Sequence, residues 1–194
     1  MLPSAVTASL TPCRESLANR RRHANVVASQ IIKVLFVCTE NICRSPTAEV
    51  VFKHYVKKAG LDDLIFSDSA GTHRNHIGEA PDKRAQRAAQ HRGYDVSRLR
   101  ARQVKTTDFA EFDRVLAMDE YNLSTLKLLC PSTDAHKLFL LMTFSEKRDT
   151  RDIPDPYYGG LRSFEQVLDM IEDATQGLLY DVCEKLLNRN LSRR

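Results

Sequence analysis

Ile31-Ile32-Lys33-Val34-Leu35-Phe36-Val37-Cys38-Thr39-Glu40-Asn41-Ile42-Cys43-Arg44-Ser45-Pro46-Thr47-Ala48-Glu49 is the stretch on which the reading of this chain turns. The run Ile31–Val37 is apolar except for Lys33 and predicts a buried strand. Ser45 is a favoured N-cap and Pro46 suits the first helical position, so a helix is expected to begin there. Glu49 lies near that first turn, where a carboxylate is favourable. Val50, Val51, Phe52, Tyr55 and Val56 supply the apolar stripe that would pack such a helix on a sheet.

The loop between strand and helix holds Cys38 at its start and Arg44 six positions later. A cysteine there lies under several backbone N–H groups and the positive end of a helix dipole, and both favour thiolate over thiol. The same N–H groups form a cradle for a tetrahedral oxyanion. Arg44 offers a planar fork to two phosphate oxygens. A nucleophile, an anion nest and a bidentate arginine are together the equipment for removing a phosphoryl group through a cysteinyl-phosphate. That chemistry requires no metal and no cofactor.

Working outward, strands and helices alternate. Strands are predicted at Ile31–Val37, Leu64–Ser69, Arg114–Met118 and Lys137–Leu141. Helices are predicted at Pro46–Ala59 (closed by Gly60), Pro81–Arg92 (closed by Gly93) and Asp119–Leu129 (ended by Cys130-Pro131). A loop from Thr143 to Leu161 follows. Ser163 and Gln166 read as a capping box for a long last helix carrying Phe164, Val167, Leu168, Ile171, Leu178, Leu179, Val182 and Leu186 at three- and four-residue spacings. The fold class expected is α/β: a single-domain three-layer sandwich, with a four-stranded parallel sheet covered by helices on both faces. Such folds bind ligands at the carboxyl ends of their strands, where Cys38 falls. The domain is expected over residues 30–190, with a disordered extension at 1–29 and a tail at 191–194.

The run Val37–Glu49 closely resembles the signature of the low-molecular-weight protein tyrosine phosphatases. Four further segments are similar to that family in the same order: Asp68-Ser69-Ala70-Gly71-Thr72, Ala80-Pro81-Asp82-Lys83-Arg84, Leu116-Ala117-Met118-Asp119 and Asp155-Pro156-Tyr157-Tyr158-Gly159. The resemblance runs from about Ile31 to about Leu187. It implies Cys38 as nucleophile, Arg44 as the phosphoryl-binding and transition-state residue, and Asp155 as general acid and then base. Asp149 and Asp152 lie nearby, and only the Asp-Pro-Tyr-Tyr context selects Asp155. Thr39, Glu40, Asn41, Ile42, Cys43, Arg44 and Ser45 would form the phosphate-binding loop. Asn41 is expected in a left-handed conformation and, with Ser45 and Ser69, to brace that loop. Cys43 is implied as a disulfide partner that protects Cys38 from over-oxidation; filling space below the loop is an equal reading. The partners implied are tyrosine-phosphorylated proteins and a cognate tyrosine kinase, with the chain a monomer or weak dimer.

Two positions depart from the pattern. Glu40 stands where the family usually has a small residue, and its carboxylate is expected to point out to solvent at the pocket mouth. Asn75 stands about where relatives carry an aromatic wall. With no tryptophan in the chain, Tyr157 becomes the main aromatic face, and Thr39, Asn75 and Tyr157 are the expected substrate wall. Glu40 also leaves open a phosphate-binding docking module without turnover. A thioredoxin-coupled arsenate reductase would need two further cysteines close together, and Cys130 and Cys183 are far apart. Relatives that act on phosphoarginine carry threonine after the loop asparagine, where this chain has Ile42.

The 194 residues suffice for one domain with a full core. Net charge is +4, of which residues 1–30 hold +3 through Arg14, Arg20, Arg21 and Arg22 against Glu15. The remainder is near neutral, which argues against a nucleic-acid reader. Lys83, Arg84, Arg87, Arg92, Arg98, Arg100, Arg102 and Lys105 are the one basic cluster, read as a solvated helix face and loop. Five scattered cysteines suggest neither a disulfide framework nor a zinc site. A reactive thiolate implies a reducing compartment, hence the cytoplasm. No apolar run approaches a membrane span, which needs about 20 residues.

Overall fold

Four strands lie parallel in the order β2-β1-β3-β4. They are β1 (Ile32–Cys38), β2 (Ile65–Gly71), β3 (Arg114–Ala117) and β4 (Leu138–Leu140). The computed structural model describes residues 31–191. The helices are α1 (Arg44–Lys58), α2 (Lys83–His91), α3 (Thr106–Glu111), α4 (Glu120–Leu129) and α5 (Leu161–Leu191), with 3-10 turns at Ser132–Lys137 and Leu141–Phe144. The expected 1–29 extension lies outside the described residues, as does all of the 191–194 tail except Leu191, which is still helical. No helix among the described residues is long and apolar enough to cross a membrane.

β1 explains the layering. Successive side chains of a strand point to opposite faces. Ile32, Val34, Phe36 and Cys38 enter the core shared with Val51, Phe52 and Val56 of α1 and Leu168, Ile171 and Leu178 of α5. Leu35 and Val37 enter the other core, with Phe109 of α3, Leu123 and Leu126 of α4, and Val115 and Ala117 of β3. Both faces are therefore dry, and the strand reads as a continuous apolar run rather than an alternating one. The sheet is the expected three-layer arrangement. Between β2 and β3 the strand order reverses direction around β1, so the carboxyl end of β1 opens onto a crevice.

Several boundaries differ from the sequence reading for local reasons. α1 begins at Arg44, with Cys43 at the N-cap and no side-chain capping bond. Ser45 is therefore inside the helix, and its hydroxyl is used elsewhere. Pro46 still falls within the first turn, where no N–H is missed. α5 begins at Leu161, so Ser163 is already helical and is not a cap. α3 was not expected; six residues are under two turns and leave little periodic trace. It forms because the Asp108 carboxylate accepts the Lys105 N–H at its start (2.8 Å). The basic cluster is not simply solvated: Arg92 pairs with Glu165, Asp169 and Glu172 on α5, and Arg102 with Asp68 and Asp108.

Candidate active site

The loop from Cys38 to Arg44 turns back on itself at Asn41, the one non-glycine residue among those described with positive φ (57°). A left-handed residue there lets the chain wrap around the Cys38 sulfur. The Asn41 N–H donates to Sγ (3.3 Å) and the Ser45 hydroxyl lies 3.1 Å from it. α1 starts at Arg44, so its unpaired first N–H groups and its positive end face the same point.

The loop is braced from beneath. The Asn41 side-chain nitrogen donates to Ser45 Oγ (2.9 Å) and Ser69 Oγ (3.0 Å), and its oxygen accepts the Arg102 N–H (2.9 Å). Ser69 donates onward to Glu49 Oε2 (2.5 Å), whose other oxygen takes Lys53. Glu49 is buried, beyond the first turn, and its role is this brace rather than the helix dipole. Burial pushes its carboxyl above the ordinary range, against the pull of Lys53. Gly71, at the end of β2, lets the loop sit this close: a Cβ there would lie 2.8 Å from the Thr39 carbonyl oxygen.

Ser45 Oγ also reaches the Ala70 carbonyl (3.2 Å). A hydroxyl has one hydrogen and here two acceptors. With Cys38 as a thiol, the sulfur donates to Oγ and Oγ donates to Ala70. With Cys38 as a thiolate, Oγ turns its hydrogen to sulfur while still accepting from Asn41. Loss of the proton therefore needs only one rotor to turn.

Arg44 is 2% exposed, and its charge is met on every side. Nη1 donates to Asp119 Oδ2 (2.5 Å) and to the Ile153 carbonyl (2.9 Å). Nη2 donates to Thr39 Oγ1 (3.3 Å) and Asp155 Oδ2 (3.0 Å). Burial works against its charge, but Cys38, Asp155 and the Asp119 bond outweigh it, and the guanidinium stands above its ordinary value. Asp119 caps α4 through the Asn122 N–H. The Asn122 amide fits with its nitrogen toward Asp119 Oδ1 (3.0 Å) and its oxygen toward the Thr39 hydroxyl (3.1 Å), which frees Thr39 to accept from Arg44. Nη1 is thus committed to orientation. Nη2 is shared between Thr39 and Asp155.

Asp155 lies on the loop before α5, ion-paired to Arg44 Nη2, its side chain 45% exposed. Its Oδ1 accepts the Tyr157 N–H (3.1 Å). Asp152 is turned away and accepts the Glu120 N–H at the start of α4. Cys43 is buried, and burial, then the charges of Cys38 and Asp82, push its thiol far up, so it stays protonated. Ile42 is buried beside it.

The rim differs from expectation. Glu40 does not extend into solvent: Oε1 accepts from Asn75 (2.8 Å), and Oε2 is buried without a hydrogen-bond partner. Asn75 offers an amide where an aromatic wall was missing, and that amide draws the carboxylate in. Tyr157 is 38% exposed, and Tyr121, 61% exposed, stacks on His73 with ring centroids 6.3 Å apart. His73 N–H donates to the Thr39 carbonyl, so this pair is fastened to the phosphate loop. Asp119, Asn122 and Tyr121 carry no assigned site role in the sequence reading. Only Asp119 had a signal, since it closes one of the family-like segments.

The model of the low molecular weight phosphotyrosine protein phosphatase family matches residues 33–192. A low molecular weight protein-tyrosine-phosphatase of Streptomyces coelicolor is 43% identical over 160 residues, covering 81% of this chain and 97% of that one. One from Bacillus subtilis is 38% identical over 152 residues, covering 78% and 96%. The crystal structure of a protein tyrosine phosphatase from Entamoeba histolytica, with Hepes in its active site, superposes with a TM-score of 0.78. It is 40% identical and covers 79% of this chain and 98% of that one. With a matching fold, a matching family model and relatives of this identity over most of their length, the chain belongs to the low molecular weight phosphotyrosine protein phosphatase family.

Proposed function

We propose that the chain hydrolyses phosphotyrosine in proteins through a cysteinyl-phosphate on Cys38. The observation that carries this reading is the convergence of three groups from separate parts of the chain. The Cys38 sulfur sits in a nest of donors, and Arg44 is buried beside it. Asp155, from the loop before α5, is held by Arg44 Nη2. A phosphoryl dianion entering the cradle takes Nη2 from Asp155 and leaves that carboxyl free to carry a proton.

Cys38 then attacks phosphorus in line and the P–O bond to the phenol breaks. Asp155 gives its proton to the departing oxygen. In the second step Asp155, now ionised, takes a proton from water. The water oxygen attacks phosphorus and the P–S bond breaks. Ser45 donates to the sulfur as it leaves with its electron pair. Inorganic phosphate is released and every group returns to its starting state. The pocket wall is Thr39, Tyr157 and the Glu40–Asn75 rim. Cys43 is assigned as partner to Cys38 under peroxide: the thiolate becomes a sulfenic acid, and the Cys43 thiol displaces water to close a disulfide. A cognate tyrosine kinase would supply the substrate, in the reducing cytoplasm where the thiolate persists.

Steady-state assays in EDTA test this. Phosphotyrosyl peptide and aryl phosphate are expected to turn over, with vanadate inhibition, and phosphoseryl peptide far more slowly. Phosphate or vanadate binding without turnover would contradict the reading and make the fold a docking module.

A further inference from the structure

Asp155 belongs to a loop with few anchors. From Arg151 to Gly160 only Ile153 and Pro156 are buried. Upstream, Ile153 is fixed: its N–H donates to the Met118 carbonyl and its own carbonyl accepts from Arg44. Downstream, the Gly159 N–H closes a local turn on the Pro156 carbonyl, which ties the loop only to itself. A long-range hold comes from Arg84 at the start of α2. Its Nη1 donates to the carbonyls of Tyr157 (2.9 Å) and Gly159 (3.2 Å).

Arg84 is itself fixed in place. Asp82, the N-cap of α2, accepts the Arg84 N–H (2.7 Å) and Nε (3.0 Å) on one oxygen and Nη2 (2.8 Å) on the other. The guanidinium plane is thereby set, with Nη1 aimed at the loop. Its carbon lies 5.4 Å from the Tyr157 ring centroid and 4.9 Å from that of Phe164. The Asp82 N–H donates to the Ile42 carbonyl of the phosphate loop (2.8 Å). A continuous path therefore runs from the phosphate loop through Asp82 and Arg84 to the carbonyls of Tyr157 and Gly159, just past Asp155 in the chain.

We propose that Arg84 is a positioning residue: with Asp82 it holds the Asp155 loop at a fixed distance from the Cys38 loop, so that the acid meets the departing oxygen. The inference rests on the assignment of Asp155 as general acid. Lysine cannot replace Arg84, because a single ammonium cannot grip Asp82 on two edges and reach two carbonyls.

The test compares wild type, Asp155→Asn, Arg84→Met, Arg84→Lys and the Asp155→Asn/Arg84→Met double variant on two substrates. One is p-nitrophenyl phosphate, with a good leaving group, and the other is phenyl phosphate, with a poor one. Arg84→Met is expected to lose about 10-fold or more in kcat on the phenyl ester and no more than about 3-fold on the nitrophenyl ester. Arg84→Lys should fall between it and wild type. The double variant should be no slower than Asp155→Asn alone, since the clasp has nothing left to position. Equal loss on both esters, or losses that add to those of Asp155→Asn, would overturn the clasp. Should Arg84→Met not fold, Arg84→Lys gives the same comparison. If Asp155→Asn itself loses equally on both esters, the acid assignment fails first and the clasp with it.

Discussion

At the residue scale, the chemistry of the site depends on hydrogens that can change partners. Ser45 is the clearest case, with one hydroxyl hydrogen between Cys38 Sγ and the Ala70 carbonyl. Its donation to sulfur matters most when the sulfur leaves phosphorus. A hydrogen bond to a charged group is worth roughly 1.5–3 kcal/mol, or about 10- to 100-fold in rate. Ser45→Ala should therefore lower kcat by that factor with less change in KM. A pre-steady-state burst of phenol should also appear as the intermediate accumulates. A loss confined to the burst rate would contradict this role. The sequence suggests Ser45 as a helix cap, and the family resemblance implies it as part of the loop brace with Asn41 and Ser69; its place inside α1 and the reach of its hydroxyl to the Ala70 carbonyl needed the fold.

At the scale of elements, the phosphate loop is a short segment held against the end of β2. Gly71 allows that approach, since a side chain there meets Thr39, Glu40 and Asn41 backbone at 2.8–3.1 Å. Backbone cannot yield as a flexible side chain can, and overpacking of this kind costs about 1–3 kcal/mol. Gly71→Ala should displace the loop, weakening phosphate or vanadate binding at least about 10-fold, with far-ultraviolet circular dichroism unchanged. Binding retained at wild-type strength would show that the loop does not depend on this contact. Elements with long apolar patterns were legible in the sequence. β1 and α1 differ from expectation by a residue or two at their ends, and α5 begins at Leu161, ahead of its expected cap Ser163. α3 was not legible, because a six-residue helix held by Asp108 leaves no period to detect.

At the scale of the whole molecule, two dry cores meet at β1, and Asn41, Arg44, Ser45, Glu49 and Ser69 form a buried polar group around the phosphate loop. Glu49 is the costly member, a carboxyl 2% exposed. It holds its proton above the ordinary value of 4.5 because of burial. The folded state therefore binds this proton more tightly than the unfolded chain does. The stability it contributes is full below about pH 4.5 and is lost as pH rises through the folded value. Glu49→Gln has no such slope, so its melting temperature relative to wild type should rise between pH 4.5 and neutrality. A flat or falling difference would mean that the Lys53 pair outweighs burial. The reach of the sequence reading has the same physical basis. Cys38, Arg44 and Asp155 were legible as candidates because motifs carry them. Asp119, Asn122, the Glu40–Asn75 bond and the His73–Tyr121 stack were not, because each joins segments far apart in the chain.

The central claim is that phosphorus passes through a covalent bond to Cys38. Rapid acid quench of the enzyme during turnover of a phosphotyrosyl peptide, followed by peptide mass spectrometry, tests it most directly. The account predicts one phosphoryl group on the peptide containing Cys38, enriched in Ser45→Ala and absent from Cys38→Ser, which should not turn over. Turnover by Cys38→Ser, or a phosphoryl group found on any other residue, would contradict it.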